Sequence, residues 1–446
     1  MPTRKTLLIF VIAGAFFPLT AVTPVAAYGI VLLDAAILLV FLMDRFRLAS
    51  SGSISLERHH RHVFSLAQNN QVELQITNES TLAVRATVRD NPPVPCSSGP
   101  ETLEMQIPAG HQAIRIYQIK PTERGCFHFK EAVVRNWSPL GLAFRDHHFP
   151  KPGPPSARDH CGDSFDFIVY PRFATATRRE VAAFAETQES GYHKLQRRIE
   201  GTTPSQIRQW VSGDSYRDIN WMATARYDHP MITQYDTDRN QTVYLFIDCG
   251  RLMNASAGEL TKLDHATNAA ADLTRLAIDR GDHVGLCCFS NSVKIWLKAK
   301  GRSEQMLRIM EALATLSANP VATNYDFAVN YFLARRTRRS FCLFLTTFAE
   351  SASSWDFLKR IHSLSPRNIP AIVDLTDPAL ETALKEDPED YARACRKLAA
   401  TDLQEETERF GEKLKHKGGH FLQTPSQSVS ATVLQSYLDV KSRGLL

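Results

Sequence analysis

The sequence predicts an α/β protein: a doubly wound, mostly parallel sheet in its second half, preceded by a membrane-spanning helical hairpin and a small β-sandwich. Three observations carry this. Two long apolar runs open the chain, short apolar–polar alternations separated by turn residues follow, and continuous apolar runs then alternate with amphipathic stretches. The expected division is a hairpin over 1–47, a sandwich over 48–149, a linker and signature segment over 150–240, and an α/β domain over 241–446. A chain of 446 residues has room for such cores. Its net charge of +5, with 22% charged residues, is too mild to argue for a nucleic-acid partner.

The apolar runs cover 6–22 and 25–43, with Thr23-Pro24 between them. Each approaches the roughly 20 residues a spanning helix needs. A signal peptide would show one run and a small-residue cleavage site, so Ala26-Ala27 keeps that alternative open. Arg4 and Lys5 precede the first run, Arg45 and Arg47 follow the second, and the link is uncharged. The positive-inside rule therefore puts both ends in the cytoplasm, with the soluble remainder beneath the inner membrane. Asp34 lies within the second run, where an ionisable group is costly; it is expected to be protonated or bonded to a neighbouring helix, a functional role being the alternative.

Alternation at 72–77, 84–88, 113–117 and 127–129 predicts the antiparallel sandwich. The basic stretch "ERHHRH" at 57–62 has two readings, a metal cluster or a solvated strand near anionic lipid, and the second is cheaper. A Pro-rich stretch over 150–164 reads as a linker, and 167–171 as one further strand. The eight cysteines show no C-x-x-C pair or regular spacing, which predicts reduced thiols.

The stretch "IRQWVSGDSYRDINWMATARYDHPMITQY" over 207–235 has the most specific pattern. Gly213-Asp214 is a turn, and 218–225 reads as a short helix carrying Trp221 and leading to Arg226. Asp214, Arg217, Asp218 and Arg226 are two acids and two bases able to close ion pairs around a buried Trp221, and Arg208 and Gly213 belong to the same structural or docking signature. The expected role is a clasp between linker and domain, with a partner-docking surface as the alternative; catalysis lacks a nucleophile or general base in reach.

This segment resembles the signature of the bacterial domain of unknown function 58 family. Gly213, Asp214, Arg217, Ile219, Trp221, Ala225 and Arg226 take the places of its Gly-Asp turn, Arg, Ile, Trp and Ala-Arg. "ERGCFHFKEAVVRNWSPLGLAFR" over 123–145 is similar to that family's upstream strand pair. The resemblance implies a von Willebrand factor A-like domain in the second half. It also implies a partner, a MoxR-type AAA+ ATPase, with this chain as an adaptor in the assembly or cofactor loading of other complexes.

In the second half, strands are predicted at 243–247, 283–289, 293–297, 341–345, 371–375 and 420–422. Helices are predicted at 261–280, 304–316, 325–335, 355–364 and 402–417. The charged stretch between Asp374 and Asp402 is either a partner surface or a solvated helix pair.

Asp248 ends the first of these strands, where open α/β sheets place their ligands. Domains of the implied fold often hold Mg²⁺ there, through D-x-S-x-S, a Thr and a second acid from later loops. Here Gly250 and Leu252 stand at the hydroxyl positions, Thr323 can supply the Thr, and Thr346-Thr347 replace the second acid. One carboxylate and one hydroxyl are too few for a dedicated cage, and Arg251 adds a competing charge. The expectation is no metal and no cofactor. Asp248 would cap a loop or pair with Arg251, and Asp248, Arg251, Thr323 and Thr346 would form a metal-free binding face.

The chain has no phosphate loop, no H-E-x-x-H and no G-x-S-x-G. Cys249 has no identifiable His partner, and Cys287 and Cys288 read as core residues. The function expected is therefore a non-enzymatic, membrane-anchored interaction module. The alternative is a metal-dependent hydrolase or adhesion module built on Asp248.

Overall fold

The structure is a computed structural model. It describes residues 2–15, 24–48, 53–91, 96–98, 102–149, 166–172, 203–211, 214, 216, 219–236, 241–301, 303–335, 338–348, 351–364, 367–387 and 390–443. The expected linker over 150–164 and the signature residues Gly213, Arg217 and Asp218 lie outside these. Two compact units form, Met1–Tyr170 and Pro171–Leu446.

The first unit opens with helices α1 (Arg4–Ala15) and α2 (Pro24–Phe46). Both fall where the apolar runs predict helix. Among the described residues no helix is long and apolar enough to cross a membrane. The first helix has 12 residues, and the second carries Asp34, Asp44 and Arg45. Large apolar side chains on these helices are nevertheless exposed, among them Leu8, Val11, Tyr28, Leu32, Leu39 and Met43. The inner end of α2 is fixed to the following domain. Buried Asp44 accepts hydrogen bonds from the main-chain N–H of Leu140 (3.0 Å) and Leu142 (3.2 Å) and from the Ser138 hydroxyl. From α1, the Thr3 N–H donates to the Leu142 carbonyl at 3.0 Å, and the Thr6 hydroxyl donates to the same oxygen.

The sandwich has strands β1 (Ile54–His60), β2 (Val63–Ser65), β3 (Asn70–Asn78), β4 (Val84–Asp90), β5 (Cys96–Ser98) and β6 (Leu103–Ile107). Then come β7 (Gln112–Pro121), β8 (Gly125–Phe127), β9 (Ala132–Trp137), β10 (Phe144–Phe149) and β11 (Phe167–Tyr170). Two four-stranded sheets, β1-β3-β7-β5 and β10-β9-β4-β6, are antiparallel throughout. The alternation in sequence becomes alternation of burial: Val72, Leu74 and Ile76 of β3 and Val84, Ala86 and Val88 of β4 all point inward.

Three results differ from expectation. The short strand at 167–170 belongs to this unit and not to a linker, because β11 pairs with β2 and β8. The basic stretch at 57–62 is partly structural: Arg58 grips buried Asp90 through two hydrogen bonds of 2.7 and 3.1 Å, and the Tyr117 hydroxyl adds a third at 2.6 Å. His60 packs its ring 5.0 Å from that of Phe129. Finally, Cys126 is disulfide-bonded, which overturns a fully reduced set of thiols. A disulfide requires only that two Cβ atoms meet in space, so spacing along the chain could not reveal it.

The second unit begins with β12 (Thr203–Gln209), helix α3 (Trp221–Tyr227) and β13 (Met231–Asp236), with β12 and β13 antiparallel. Its main sheet uses β14 (Thr242–Asp248); after a small β15 (Ser256–Ala257) and β16 (Leu260–Thr261) pair come β17 (His283–Phe289), β18 (Val293–Lys300), β19 (Phe341–Thr346), β20 (Ile369–Thr376) and β21 (His420–Pro425). The order is β18-β17-β14-β19-β20-β21, with only the β17–β18 pair antiparallel. The helices are α4 (Lys262–Asp279), α5 (Ser303–Ala314), α6 (Tyr325–Arg335), α7 (Ser351–Leu364), α8 (Pro378–Lys385), α9 (Tyr391–His416) and α10 (Val429–Ser442).

Every described side chain of β14, β19 and β20 past its first residue is buried up to Asp248, Thr346 and Leu375, as a sheet covered on both faces requires. Tyr244, Phe246, Phe344 and Phe289 pack with residues of α6, α7 and α9 on one face. The intervening Val243, Leu245 and Ile247 face the other way, where α4 and α10 lie. The expected elements are present, with α7 and α9 starting earlier than periodicity placed them. The charged stretch after Asp374 is a helix pair, α8 packed on α9. The C-terminal helix α10 was not predicted. Tyr437 and Lys441 hold it to buried Asp282; the Lys441 Nζ lies 2.5 Å from Asp282 Oδ2.

Candidate functional site

The sheet reverses its winding at β14, so the carboxyl ends of β14 and β19 flank the place where a doubly wound fold opens a crevice. Asp248 stands there, only 1% exposed. Its Oδ1 accepts from the Gly250 N–H (2.8 Å) and the Thr323 hydroxyl (2.6 Å). Its Oδ2 accepts from the Thr346 hydroxyl (2.6 Å), and the Tyr325 hydroxyl lies 3.3 Å away. Tyr325 and Thr346 are also 2.7 Å apart, oxygen to oxygen. An ionised carboxylate offers about four lone-pair positions, and all of them face donors of this chain. Burial raises the pKa of Asp248, while the bonds from Thr323, Thr346, Gly250 and Tyr325 oppose that rise. Burial likewise keeps the Tyr325 phenol protonated.

Gly250 is required by close approach. A Cβ there would sit 2.1 Å from Thr323 Oγ1 and 3.1 Å from Asp248 Oδ1. Its backbone, at φ −76° and ψ 176°, would suit any residue, so the restriction is purely steric. The Thr323 hydroxyl fills the volume that a serine at position 250 would occupy.

This donor set does not fit a divalent cation. Mg²⁺ needs several free oxygens in octahedral array, whereas the oxygens here are occupied by one another. Among the described residues no three His, Cys, Asp or Glu side chains gather as a metal site. Asp248 caps the loop after β14, and its described partners are hydroxyls and an amide rather than the Arg251 cation. Of the four residues expected to form a binding face, Asp248 and Thr346 are buried, Thr323 is half-buried and Arg251 is exposed.

A second acid does exist, one strand further along. Asp374 lies in register with Thr346, is buried, and accepts from the Phe348 N–H at 3.0 Å. Burial pushes its pKa up to about 6, with the Phe348 bond and the Lys262 charge pulling downward. Lys262 is itself buried, donates to the Leu375 carbonyl at 3.1 Å, and has its pKa lowered by that burial. Tyr325, Asp374 and Lys262 were not singled out from the sequence. Asp374 carried the same signal as Asp248, an acid ending an apolar run.

The signature segment looks outward. Arg208 and Asp214 form a bidentate pair, both bonds 2.8 Å, and the Val211 N–H adds a bond of 2.9 Å to the same carboxylate. That pairing holds the Asp214 carboxyl below its usual pKa. Asn220 caps α3, accepting from the Ala223 N–H at 2.9 Å and donating to Thr233 Oγ1 at 3.0 Å. Trp221, the first residue of α3, is 72% exposed, not buried as expected, whereas Ala223 is the residue that this helix buries. Ile207, Val211, Tyr216, Met222 and Tyr227 are exposed as well. Arg226 is exposed and makes no ion pair with Asp214.

Residues 206–388 match the family described as protein of unknown function DUF58. An uncharacterised protein of Mycobacterium tuberculosis is 24% identical over 180 residues, which are 40% of this chain and 56% of that protein. The chain thus spans little more than half the length of that relative. Among solved structures, BatB from Bacteroides thetaiotaomicron is similar over 46% of this chain and 100% of its own, at 11% identity and a TM-score of 0.32. An aerotolerance-related membrane protein from Bacteroides fragilis aligns over 45% of this chain and 100% of its own, at 13% identity and a TM-score of 0.28. Those scores are too low to define a shared fold.

Proposed function

We propose that this chain is a membrane-anchored docking module, without catalytic activity of its own, that presents the signature hairpin to a protein partner. The observation that carries the reading is the exposed set Ile207, Val211, Tyr216, Trp221, Met222 and Tyr227 on one short segment. Monomers seldom expose so many large apolar groups together, and Trp and Tyr are the usual anchors of protein interfaces. The Arg208–Asp214 clasp and the Asn220 cap pre-order the segment, which lowers the entropic cost of docking.

The Asp248 network supports the absence of catalysis, since its hydroxyls and carboxylate bind each other beneath the surface. In this reading the second unit is von Willebrand A-like in its doubly wound sheet, departs from that pattern in the loops around Asp248, and works without the metal. The partner is a MoxR-type AAA+ ATPase, which supplies the energy for assembly or maturation of other complexes. Purified full chain and ATPase should bind each other, and the Trp221→Ala, Met222→Ala double variant should weaken that binding about tenfold or more with an unchanged melting temperature. Unchanged binding by the double variant would refute the docking surface.

The anchor reading rests on the exposed apolar sides of α1 and α2. On this reading the helices lie in an inner membrane as a two-pass hairpin. Positive flanks favour a cytoplasmic soluble part, while the disulfide at Cys126 favours an oxidising compartment. A topology reporter fused after residue 446 decides between the two sides.

A further inference from the structure

The strands of the main sheet reach one edge nearly in register: Thr242 pairs with His283, Val243 with Phe341, Phe341 with Ile369, Ala371 with His420, and Val284 with Lys300. The parallel strands start on this edge and antiparallel β18 finishes on it. At about 4.8 Å per strand the edge is about 24 Å wide. Cations stand beside every strand except β14. Lys300 closes β18, Arg280 precedes β17, Arg338 and Arg339 precede β19, and Arg367 precedes β20. Lys415 and Lys417 lead into β21, Arg335 ends α6, and Arg443 follows α10. Arg443 lies near the start of β21: burial lowers the His420 pKa, and the Arg443 charge lowers it further. All nine side chains are exposed.

The edge stays positive after its acids are counted. Among the described residues none of the nine closes an ion pair. Of the acids nearby, buried Asp282 is matched by Lys441 and Glu304 by Arg308, two cations outside the nine. Asp279, Glu412 and Asp439 remain, which leaves six positive charges in excess with every histidine neutral. Helices α4, α6, α7, α9 and α10 also end on this edge. A helix carboxyl end carries about half a negative charge, so together they offset less than half of the excess. Residues 238, 239, 302 and 336, outside the described set, are by sequence one acid and three arginines.

We propose that this edge rests on the anionic headgroups of a membrane surface. Protein interfaces are depleted in Lys and anchored by aromatic side chains, and readers of nucleic acid add aromatic or amide groups. This edge offers neither. Its amides Gln241 and Asn368 are buried, and the exposed aromatics of the flanking helices, Phe327 and Tyr391, sit in the first turns of α6 and α9, toward the other end of the sheet. A bilayer asks only for spread positive charge, and each Lys or Arg near an anionic surface strengthens binding about fivefold. The inference uses neither the docking hairpin nor α1 and α2.

The test places full chain in nanodiscs of phosphatidylcholine alone or mixed with phosphatidylglycerol, and reads amide hydrogen exchange over 335–341 and 415–420. Exchange in both segments should be slower by about fivefold or more in the anionic discs at low salt. It should recover at about 0.5 M salt, where screening confines surface charge to a few ångströms. The Arg338→Glu, Arg339→Glu double variant should lose most of the slowing. The Lys294→Glu, Arg396→Glu control, which reverses two exposed cations toward the other end of the sheet, should keep it. No slowing, slowing that survives high salt, or slowing indifferent to Arg338 and Arg339 would overturn the proposal. Protection of the same segments by single-stranded RNA or polyglutamate in neutral discs, with none from anionic discs, would overturn the bilayer assignment. Should the double variant not fold, the salt series on wild-type chain decides alone. A chain that fails to enter the discs is added to preformed ones, where slowing by anionic lipid supports the edge and refutes only the α1–α2 anchor.

Discussion

Replacing Asp248 by Ala leaves four donors facing an empty volume: the Gly250 N–H and the hydroxyls of Thr323, Thr346 and Tyr325. Thr346 and Tyr325 already lie 2.7 Å apart and can satisfy one another, so two groups are orphaned, the Gly250 amide and the Thr323 hydroxyl. At about 1–3 kcal/mol for each buried unsatisfied group, the loss is about 2–6 kcal/mol, reduced somewhat because the variant no longer buries a carboxylate. Asp248→Asn behaves differently. Its amide oxygen keeps the bonds from Gly250 and Thr323, and its NH₂ meets two hydroxyls that can turn to accept, so the cost is below about 1 kcal/mol. Urea unfolding of both variants, each with and without millimolar Mg²⁺, measures these differences. If Asn costs as much as Ala, or if Mg²⁺ stabilises wild type but not the Asn variant, the self-satisfied network is refuted, because a cation needs the charge that Asn removes.

Gly250→Ala should cost about 2–3 kcal/mol through the 2.1 Å collision with Thr323 Oγ1, and most of that should return in the Gly250→Ala, Thr323→Gly double variant, as a double-mutant cycle would show. Asp374 has a folded pKa of about 6, above its unfolded value. Its neutral form is favoured by folding, so the stabilisation is complete below about pH 4 and is lost as pH rises to about 6. That loss is about 3 kcal/mol, and Asp374→Asn should abolish it in unfolding curves taken across this range. Asp282→Ala should cost about 3–5 kcal/mol by leaving Lys441 without its partner under α10, readable as a lowered urea midpoint.

The sheet was legible because β14, β17, β19 and β20 are continuous apolar runs, and no other element type buries both faces over so short a length. The start of α9 was not legible, since Tyr391 and Leu398 are exposed and give the helix no apolar stripe there. At the site, the shortage of oxygen ligands could be read from Gly250 and Thr346. The rest of the Asp248 network was legible only in part: the implied fold pointed to Thr323, whereas Tyr325, the first residue of α6, reaches Asp248 across 77 residues of sequence with no local signal to mark it. Trp221 misled for a local reason. An aromatic residue among ion pairs suggests burial, but the one buried residue of this short helix is Ala223, and Trp221 at its start is left to solvent.

The lock between α2 and the sandwich depends on main-chain amides at 140 and 142 and not on what those residues carry. Substitution at either position can therefore wander freely over evolutionary time while the attachment persists. Proline is the exception, since it would delete the very donor that Asp44 holds.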